Sequence, residues 1–411
     1  MSFLPPIFRI RDFRVLILTR WLIVMALQIQ DVIVSWQVYQ LKHDALLLGL
    51  LGLTEAVPAI LCSFYAGHIV DNHRPAKIFI NCLAVLSVNA VLLWIATSSW
   101  VDIHDDWRLI VMFSATFVSG IVRSFSSPSN SSLIPQLVPR ELYSASAAIG
   151  SSVFQASAIV GPAIGGLVYG QFGSDAAFAM IPALSIASLV AVFWLTPHAR
   201  SIRNTQQREK FSQSIMAGLR FVLKTKALLS SMMLDMFSVL FGGAVAVLPI
   251  YADQVLHIGA SGLGFLRAAP AVGSLLVLMA LTFRPLKVIS GKTLLWVVAG
   301  FGTCILIFGL SHSVILSAVM LALSGAFDGV SMVIRQTIMQ LLTPDQYRGR
   351  VSSVSLVFIT SSNEIGAFES GLAASMMGLI PSVIFGATMT LLIVGGTALF
   401  FPELRRTQIE H

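Results

Sequence analysis

The sequence predicts an all-α polytopic membrane protein with twelve transmembrane helices in two pseudo-symmetric six-helix bundles. Three observations lead there. Of the 411 residues, 56% are hydrophobic and 11% charged, whereas a soluble domain carries roughly 25% charged residues. An ordinary water-facing surface cannot be built from such a chain. The runs 78–101, 142–174, 176–196 and 293–327 contain no charged residue, and about 20 apolar residues suffice for one span. Finally, marks recur at a constant offset of 205 residues: Pro139, Gly161, Gly166-Leu167 and Gly173 correspond to Pro344, Gly366, Gly371-Leu372 and Gly378, and Ser119-Gly120 to Ser324-Gly325. A second alignment sets Leu51-Gly52, Ala56 and Pro58-Ala59 on Leu263-Gly264, Ala268 and Pro270-Ala271. An even number of spans in each half makes this a parallel repeat.

In order, the spans are expected at 14–40, 45–66, 78–99, 108–128, 142–169, 176–196, 228–252, 261–283, 293–311, 313–336, 351–377 and 381–401. The basic N-terminal stretch reads as a lead-in to the first helix, because the apolar run after it is too long for a cleaved signal. With both termini in the cytoplasm, 20 of the 26 Lys and Arg fall on that side and only Lys42 and Arg108 fall outside. Arg20, Arg123, Arg267 and Arg335 lie within spans or at their ends. The positive-inside rule therefore orients the chain. Residues 1–196 form the first half and 227–411 the second. The polar stretch 197–226 joins them and places Phe211, Ile215, Leu219 and Val222 at helical spacing, as an amphipathic helix on the inner membrane surface would.

Several function classes are excluded or disfavoured. The net charge of +7 lies in the loops and follows topology, so no nucleic-acid partner is implied. Cys62, Cys82 and Cys304 fall within apolar spans and make neither a disulfide framework nor a metal site. His68 and His73 lack metal-ligand spacing. No phosphate-binding Gly-x-x-x-x-Gly-Lys-[Ser/Thr], Gly-x-Ser-x-Gly or HExxH pattern occurs, which argues against an ATP-driven pump or a membrane hydrolase.

The chain resembles the major facilitator superfamily over essentially its full length. Gly67-x-x-x-Asp71-x-x-Arg74-x-x-Lys77 is similar to that superfamily's signature between helices 2 and 3, with a thinner basic cluster. The corresponding second-half turn keeps only Arg284-Pro285-x-Lys287. Gly161-Pro162-x-x-Gly165-Gly166 resembles the Gly-Pro motif of drug and metabolite antiporters. Leu137-Val138-Pro139 with Glu141-Leu142, Leu248-Pro249, Thr343-Pro344-Asp345 with Arg348-Gly349-Arg350, and Asn363 through Gly371 resemble the enterobactin-exporter branch of siderophore and macrolide efflux proteins. The resemblance implies alternating access. It also implies that helices 1, 4, 7 and 10 line a central cavity while 2 and 11 pack across the halves. Asp31 would then face the cavity, with Glu55, Glu364 and Glu369 near the interface of the halves.

Charges inside spans are the candidate transport groups. Arg20, Arg123, Arg267 and Arg335 stand against Asp31, Glu55, Asp235, Asp328, Glu364 and Glu369, and each costs about 2.5–3.5 kcal/mol at the bilayer centre. Four arginines can offset four carboxylates. The two left over are held more readily as neutral acids, which is what proton coupling requires. Arg20, Asp235 and Arg335 are expected to snorkel to water from the inner ends of their spans. Asp31, Glu55, Arg267, Asp328, Glu364 and Glu369 are thus the proton or substrate candidates. Arg267 is expected to neutralise a neighbour across from helix 5. Gly67, Asp71, Arg74, Lys77 and Arg123 are the gating candidates, with Asp71 capping the adjacent helix ends and paired with Arg123. The function expected is proton-driven export of an amphiphilic small molecule, a siderophore first, with drug, macrolide or lipid efflux as the alternative. A non-transporting sensor or scaffold is the other class. No cofactor beyond the proton gradient is expected, nor any partner beyond cargo and lipid. The site of action is a bacterial inner membrane, and the working unit a monomer.

Overall fold

A computed structural model of the protein describes residues 6–196, 211–284, 288–344 and 347–410. The first helices are α1 (Arg11–Lys42), α2 (Ala45–Asn72), α3 (Pro75–Thr97), α4 (Asp105–Leu137) and α5 (Tyr143–Val192). They continue with α6 (Phe211–Lys224), α7 (Lys226–Gly242), the short α8 (Leu248–Ile250) and α9 (Gly259–Phe283). The last are α10 (Gly291–Leu310), α11 (Val314–Leu342), α12 (Arg348–Met377), α13 (Leu379–Phe400) and α14 (Pro402–Arg406). Two three-residue strands, β1 (Val288–Ser290) and β2 (Gln408–Glu410), pair antiparallel.

Among the described residues ten helical segments are long and apolar enough to cross a membrane. One of them contains α5, which bends at Gly173 (φ 84°, ψ 178°) and so carries two spans. Counting both arms of α5 and adding α12 gives the expected twelve. Gly378, 205 residues beyond Gly173, stands at φ 89° and ψ 164° between α12 and α13. Only glycine enters this region readily, so the repeat extends to backbone conformation. It extends to packing as well. A Cβ on Gly120 would lie 2.2 Å from the Glu55 carbonyl oxygen, and one on Gly325 would lie 1.9 Å from the Pro270 carbonyl oxygen. In both places a glycine lets α4 or α11 approach the backbone beside a helical proline.

The chain forms two compact units: Met1–His43, Leu53–Ile202 and Ile258–Ala268 in one, and Asp44–Gly52, Arg203–His257 and Ala269–His411 in the other. In the first, Leu16, Ile23, Leu83, Leu86, Val122 and Val192 form a buried cluster. Gln30 Nε2 donates to Ser119 Oγ at 3.1 Å and Asn89 Nδ2 to the Ala115 carbonyl at 3.0 Å, tying α1 and α3 to α4. Close approach of α5 to α9 is set by Gly166 and Gly264, where a Cβ on either would fall within 3.1 Å of the other's Cα. In the second unit, Leu234, Leu294, Val298, Ile334 and Ile338 form the corresponding cluster. There Gly371 of α12 rests on Gly49 of α2 in the same manner.

Three local differences from expectation have simple causes. The turn expected at 67–77 shrinks to His73-Arg74, because α2 continues to Asn72. Pro75 begins α3, and Arg74 before it is held extended (φ −74°, ψ 111°), as a residue preceding proline must be. The seventh span is interrupted: α7 stops at Gly242-Gly243, and Pro249 starts α8 after a short 3-10 turn. Ser370 of α12 donates to the freed Gly243 carbonyl at 3.1 Å, since buried backbone groups need partners. The joining helix is α6. Its Val222 is buried with Leu228, Met232, Val351 and Val354, so that part of its apolar face covers protein rather than lying on the membrane surface. Residues 197–210 lie outside the described residues.

Candidate functional site

Seven of the ten charged side chains within the spans gather into two groups, one per unit. In the first, α4 and α2 bring Arg123 to Glu55, with Nη1 2.8 Å from Oε1. Gly120 one turn away permits that approach. Beside this pair, Arg267 on the first turns of α9 reaches α1, where Nη2 lies 2.6 Å from Asp31 Oδ2 and Nη1 donates to Ser35 Oγ at 3.2 Å. Two arginines thus meet two carboxylates. The partner of Arg267 is on helix 1. Helix 5 packs on α9 through Gly166, and residues 142–174 hold no acid to pair with it.

The second group lies between α7 and α11. Arg335 bonds Asp235 closely, and its other amino group stands 3.8 Å from Asp328. Asp235 and Arg335 were expected to reach out to water. Instead their side chains are 7% and 15% exposed and partner each other. The reason is position: residue 235 faces α11, and its carboxylate meets the guanidinium before it can reach the helix end. Arg20 packs against Gly150 of α5, where a Cβ would lie 2.7 Å from its Nη1.

A cavity of about 490 Å³ opens beside this second group. Asp235, Asp328 and Arg335 supply its charge, Met232, Met332, Met339 and Phe358 its apolar wall, and Gln336, Gln340 and Asn363 its amides. Most of this lining was invisible in the sequence, because it depends on helix rotation. The signal that existed was the recurrence of Met and Gln at helical spacing in 332–340. Glu364, on α12, has its Oε2 3.8 Å from where a Cβ of Gly52 would stand. Glu369 is half-buried and has no ion pair among the described residues.

Of the gating candidates, the side chain of Asp71 lies outside the described residues, so the Asp71–Arg123 pair is not described. His73 Nδ1 lies 2.9 Å from the Ile69 carbonyl at the end of α2, and Lys77 N–H donates to the Arg74 carbonyl at 3.0 Å in the first turn of α3. Among the described residues no cluster of three or more His, Cys, Asp or Glu could hold a metal ion.

Outside the spans each unit carries an exposed lysine–carboxylate pair. Lys42 at the end of α1 meets Asp106 of α4 at 2.6 Å, and Lys226 meets Glu403 at 2.9 Å. Their hydrogen bonds and charges hold Asp106 and Glu403 below the usual carboxylate range and raise Lys42 and Lys226.

Residues 2–410 match the family model described as transmembrane secretion effector. The curated relatives include the enterobactin exporter EntS of Shigella boydii serotype 4, 26% identical over 403 residues, covering 96% of this chain and 92% of that protein. EntS of Escherichia coli O1:K1 matches at 26% with the same coverage. Among solved structures, a bacterial homologue of the human lysosomal transporter Spinster, inward-facing and unoccupied, superposes with a TM-score of 0.76 at 14% identity, over 98% of this chain and 99% of that one. A D-xylose–proton symporter superposes with a TM-score of 0.69 at 12% identity, over 97% and 98%. At such identities the structures speak to the fold alone.

Proposed function

We propose a function from one premise: this chain belongs to the transmembrane secretion effector family and is a multi-pass transporter of the major facilitator type. Our reading is that it exports an amphiphilic small molecule across a bacterial inner membrane by alternating access, driven by inward proton flow and requiring no other cofactor. It works as a monomer with both termini in the cytoplasm. A siderophore is the first cargo, as the name of the curated relatives suggests.

The observation that carries the reading is the pair of ion bridges within the spans of the first unit, Glu55–Arg123 and Asp31–Arg267. A charge in that setting needs a partner. A carboxylate that loses its arginine when helices move must take a proton or cargo instead. In this reading Glu55 and Asp31 exchange their arginines for protons once per cycle. Asp328, Glu364 and Glu369 form the second set, and Gly67, Asp71, Arg74 and Lys77 gate the inner side with Arg123 released to Asp71. Asp71→Asn should abolish transport and leave membrane insertion intact.

The test is proton release from everted vesicles on addition of cargo. Wild-type vesicles should release protons with a siderophore, and Glu55→Gln vesicles should not. Identical release by both would remove Glu55 from coupling. Strains lacking the protein should grow poorly in iron starvation and recover with external siderophore.

A second reading, broad export of apolar drugs, is favoured by the cavity. Its volume of about 490 Å³ suits a small molecule. Methionine walls adapt to varied shapes. Efflux of several unrelated dyes, with no iron phenotype, would select this reading over the first.

A further inference from the structure

We propose that the second unit holds a monovalent-cation site, sized for sodium, between α7 and α11. The residues form a matched pair of short patterns. Asp235 and Ser238 lie three apart on α7, and Asp328 and Ser331 lie three apart on α11. That spacing puts each acid and its serine on one helix face. All four line one void of about 10 Å³, whose remaining lining is Val239, Val298, Phe301 and Phe327. This is the room of a single water-sized body.

Two independent features point to a ligand there. The hydroxyls of Ser238 and Ser331 are buried, at 2% and 3% residue exposure, and among the described residues neither has a hydrogen-bond partner. Other buried serines on the same helices are satisfied locally. Ser231 donates to the Leu228 carbonyl and Ser324 to the Leu321 carbonyl, each at 2.8 Å. A buried hydroxyl whose oxygen borders a void shared with two carboxylates is held ready for something that fills it. The second feature is charge. Among the described residues Asp235 and the half-exposed Asp328 share the guanidinium of Arg335, so the group carries one negative charge in excess whenever both acids are ionised.

A hard cation with a single charge meets both demands. It takes carboxylate and hydroxyl oxygens as ligands and brings the group to neutrality. A water would satisfy the hydroxyls but leave the charge. An organic amine is too large for the void, and a divalent ion would leave one positive charge in excess. The void shares Asp235, Val239 and Asp328 with the large cavity, so a cation can enter from there. Sodium and the guanidinium both hold Asp235, and occupancy therefore loosens Arg335. The site shares Asp328 with the second set of transport groups but uses neither Glu55 nor Asp31, on which the proton reading rests.

The experiment is thermal unfolding of the purified full-length protein in detergent, titrated with sodium chloride against potassium and N-methylglucamine chloride at constant ionic strength. Binding of radiolabelled sodium is followed in parallel. Sodium alone should raise Tm with saturation. Ser238→Ala/Ser331→Ala should weaken apparent sodium affinity by about tenfold or more, one hydrogen-bond-sized step on the affinity scale. Its Tm without sodium should stay at or above wild type, because two unsatisfied hydroxyls are gone. Asp235→Asn should lose the response, and Glu55→Gln should keep it. A Tm indifferent to which cation is present, as for a void holding only water, would overturn the site. So would a sodium response unchanged in the double serine variant. If that variant does not fold, Ser238→Ala alone with radiolabelled sodium carries the test.

Discussion

The two groups of charge within the spans are built at related places and balanced differently. Among the described residues two arginines of the first unit face two carboxylates, each pair within 2.8 Å. In the second a single arginine serves two carboxylates, one in close contact and one at 3.8 Å. The repeat makes the contrast sharper. Arg123 corresponds to Asp328 at the 205 offset, and Glu55 corresponds to Arg267 in the second alignment. Signs are reversed at both positions, so the Glu–Arg geometry of the first unit does not recur in the second. Arg267 bonds Asp31 and Asp328 leans on Arg335. The backbone keeps its symmetry while the chemistry diverges, as expected when one half is specialised for a task the other does not share.

The largest expected effect is at the shared arginine. Arg335→Gln removes the cation from beside two carboxylates and should destabilise by about 3–5 kcal/mol, the scale for breaking a buried pair. Measured by Tm in detergent, the double variant Asp235→Asn/Arg335→Gln should recover most of that loss. Arg123→Gln, whose partner side chain is less enclosed, should lose clearly less. Equal losses at the two arginines would erase the contrast drawn above.

Next come the glycines that hold the repeat-related approaches. Gly120→Ala and Gly325→Ala each press a Cβ on a carbonyl oxygen, at 2.2 and 1.9 Å. Both should destabilise by about 1–3 kcal/mol through overpacking, and by similar amounts if the packing symmetry governs. Gly173→Ala and Gly378→Ala force alanine into a region reserved for glycine, at about 1–3 kcal/mol each. Denaturation in detergent would read all four. A marked difference within either pair would show that one half tolerates a movement the other does not.

The smallest effects belong to the exposed pairs. Asp106 and Glu403 are lowered by their lysines, so whatever stability they add is present above the ordinary carboxylate range and is lost as pH falls through the lowered values. Lys42 and Lys226 are raised, so their contribution is present below the ordinary lysine range and is lost as pH rises through the raised values. Between those limits it is flat. Because both pairs stand in water, Lys42→Ala and Lys226→Ala should leave Tm unchanged at about 0.15 M salt, with a difference emerging only at low ionic strength. A loss at physiological salt in one variant alone would mark that pair as structural.

Much of the fold was legible because a membrane imposes simple demands. Apolar runs of span length, basic loops and a constant repeat offset are one-dimensional signals, and each survives without knowledge of packing. Even Gly173 and Gly378, flagged only as marks in a repeat, proved to share a backbone conformation. The intramembrane charges could also be enumerated, since each is conspicuous in an apolar segment. Their pairing was not legible. Asp31 with Arg267 and Asp235 with Arg335 are 236 and 100 residues apart, and nothing local selects those partners over others. Helix rotation does, and it is set by which small residues let which helices touch.

By itself the sequence determined the twelve spans, their doubling and the inventory of groups that need partners, because hydropathy, charge and glycine placement act through composition and spacing. Tertiary structure alone decided who meets whom. It gave Glu55 to Arg123, left Asp235 and Asp328 to share Arg335, and turned Ser238 and Ser331 toward one small void. The physical reason is that an ion pair or a ligand site is fixed by distances of a few ångströms, and those depend on how neighbouring helices pack and rotate.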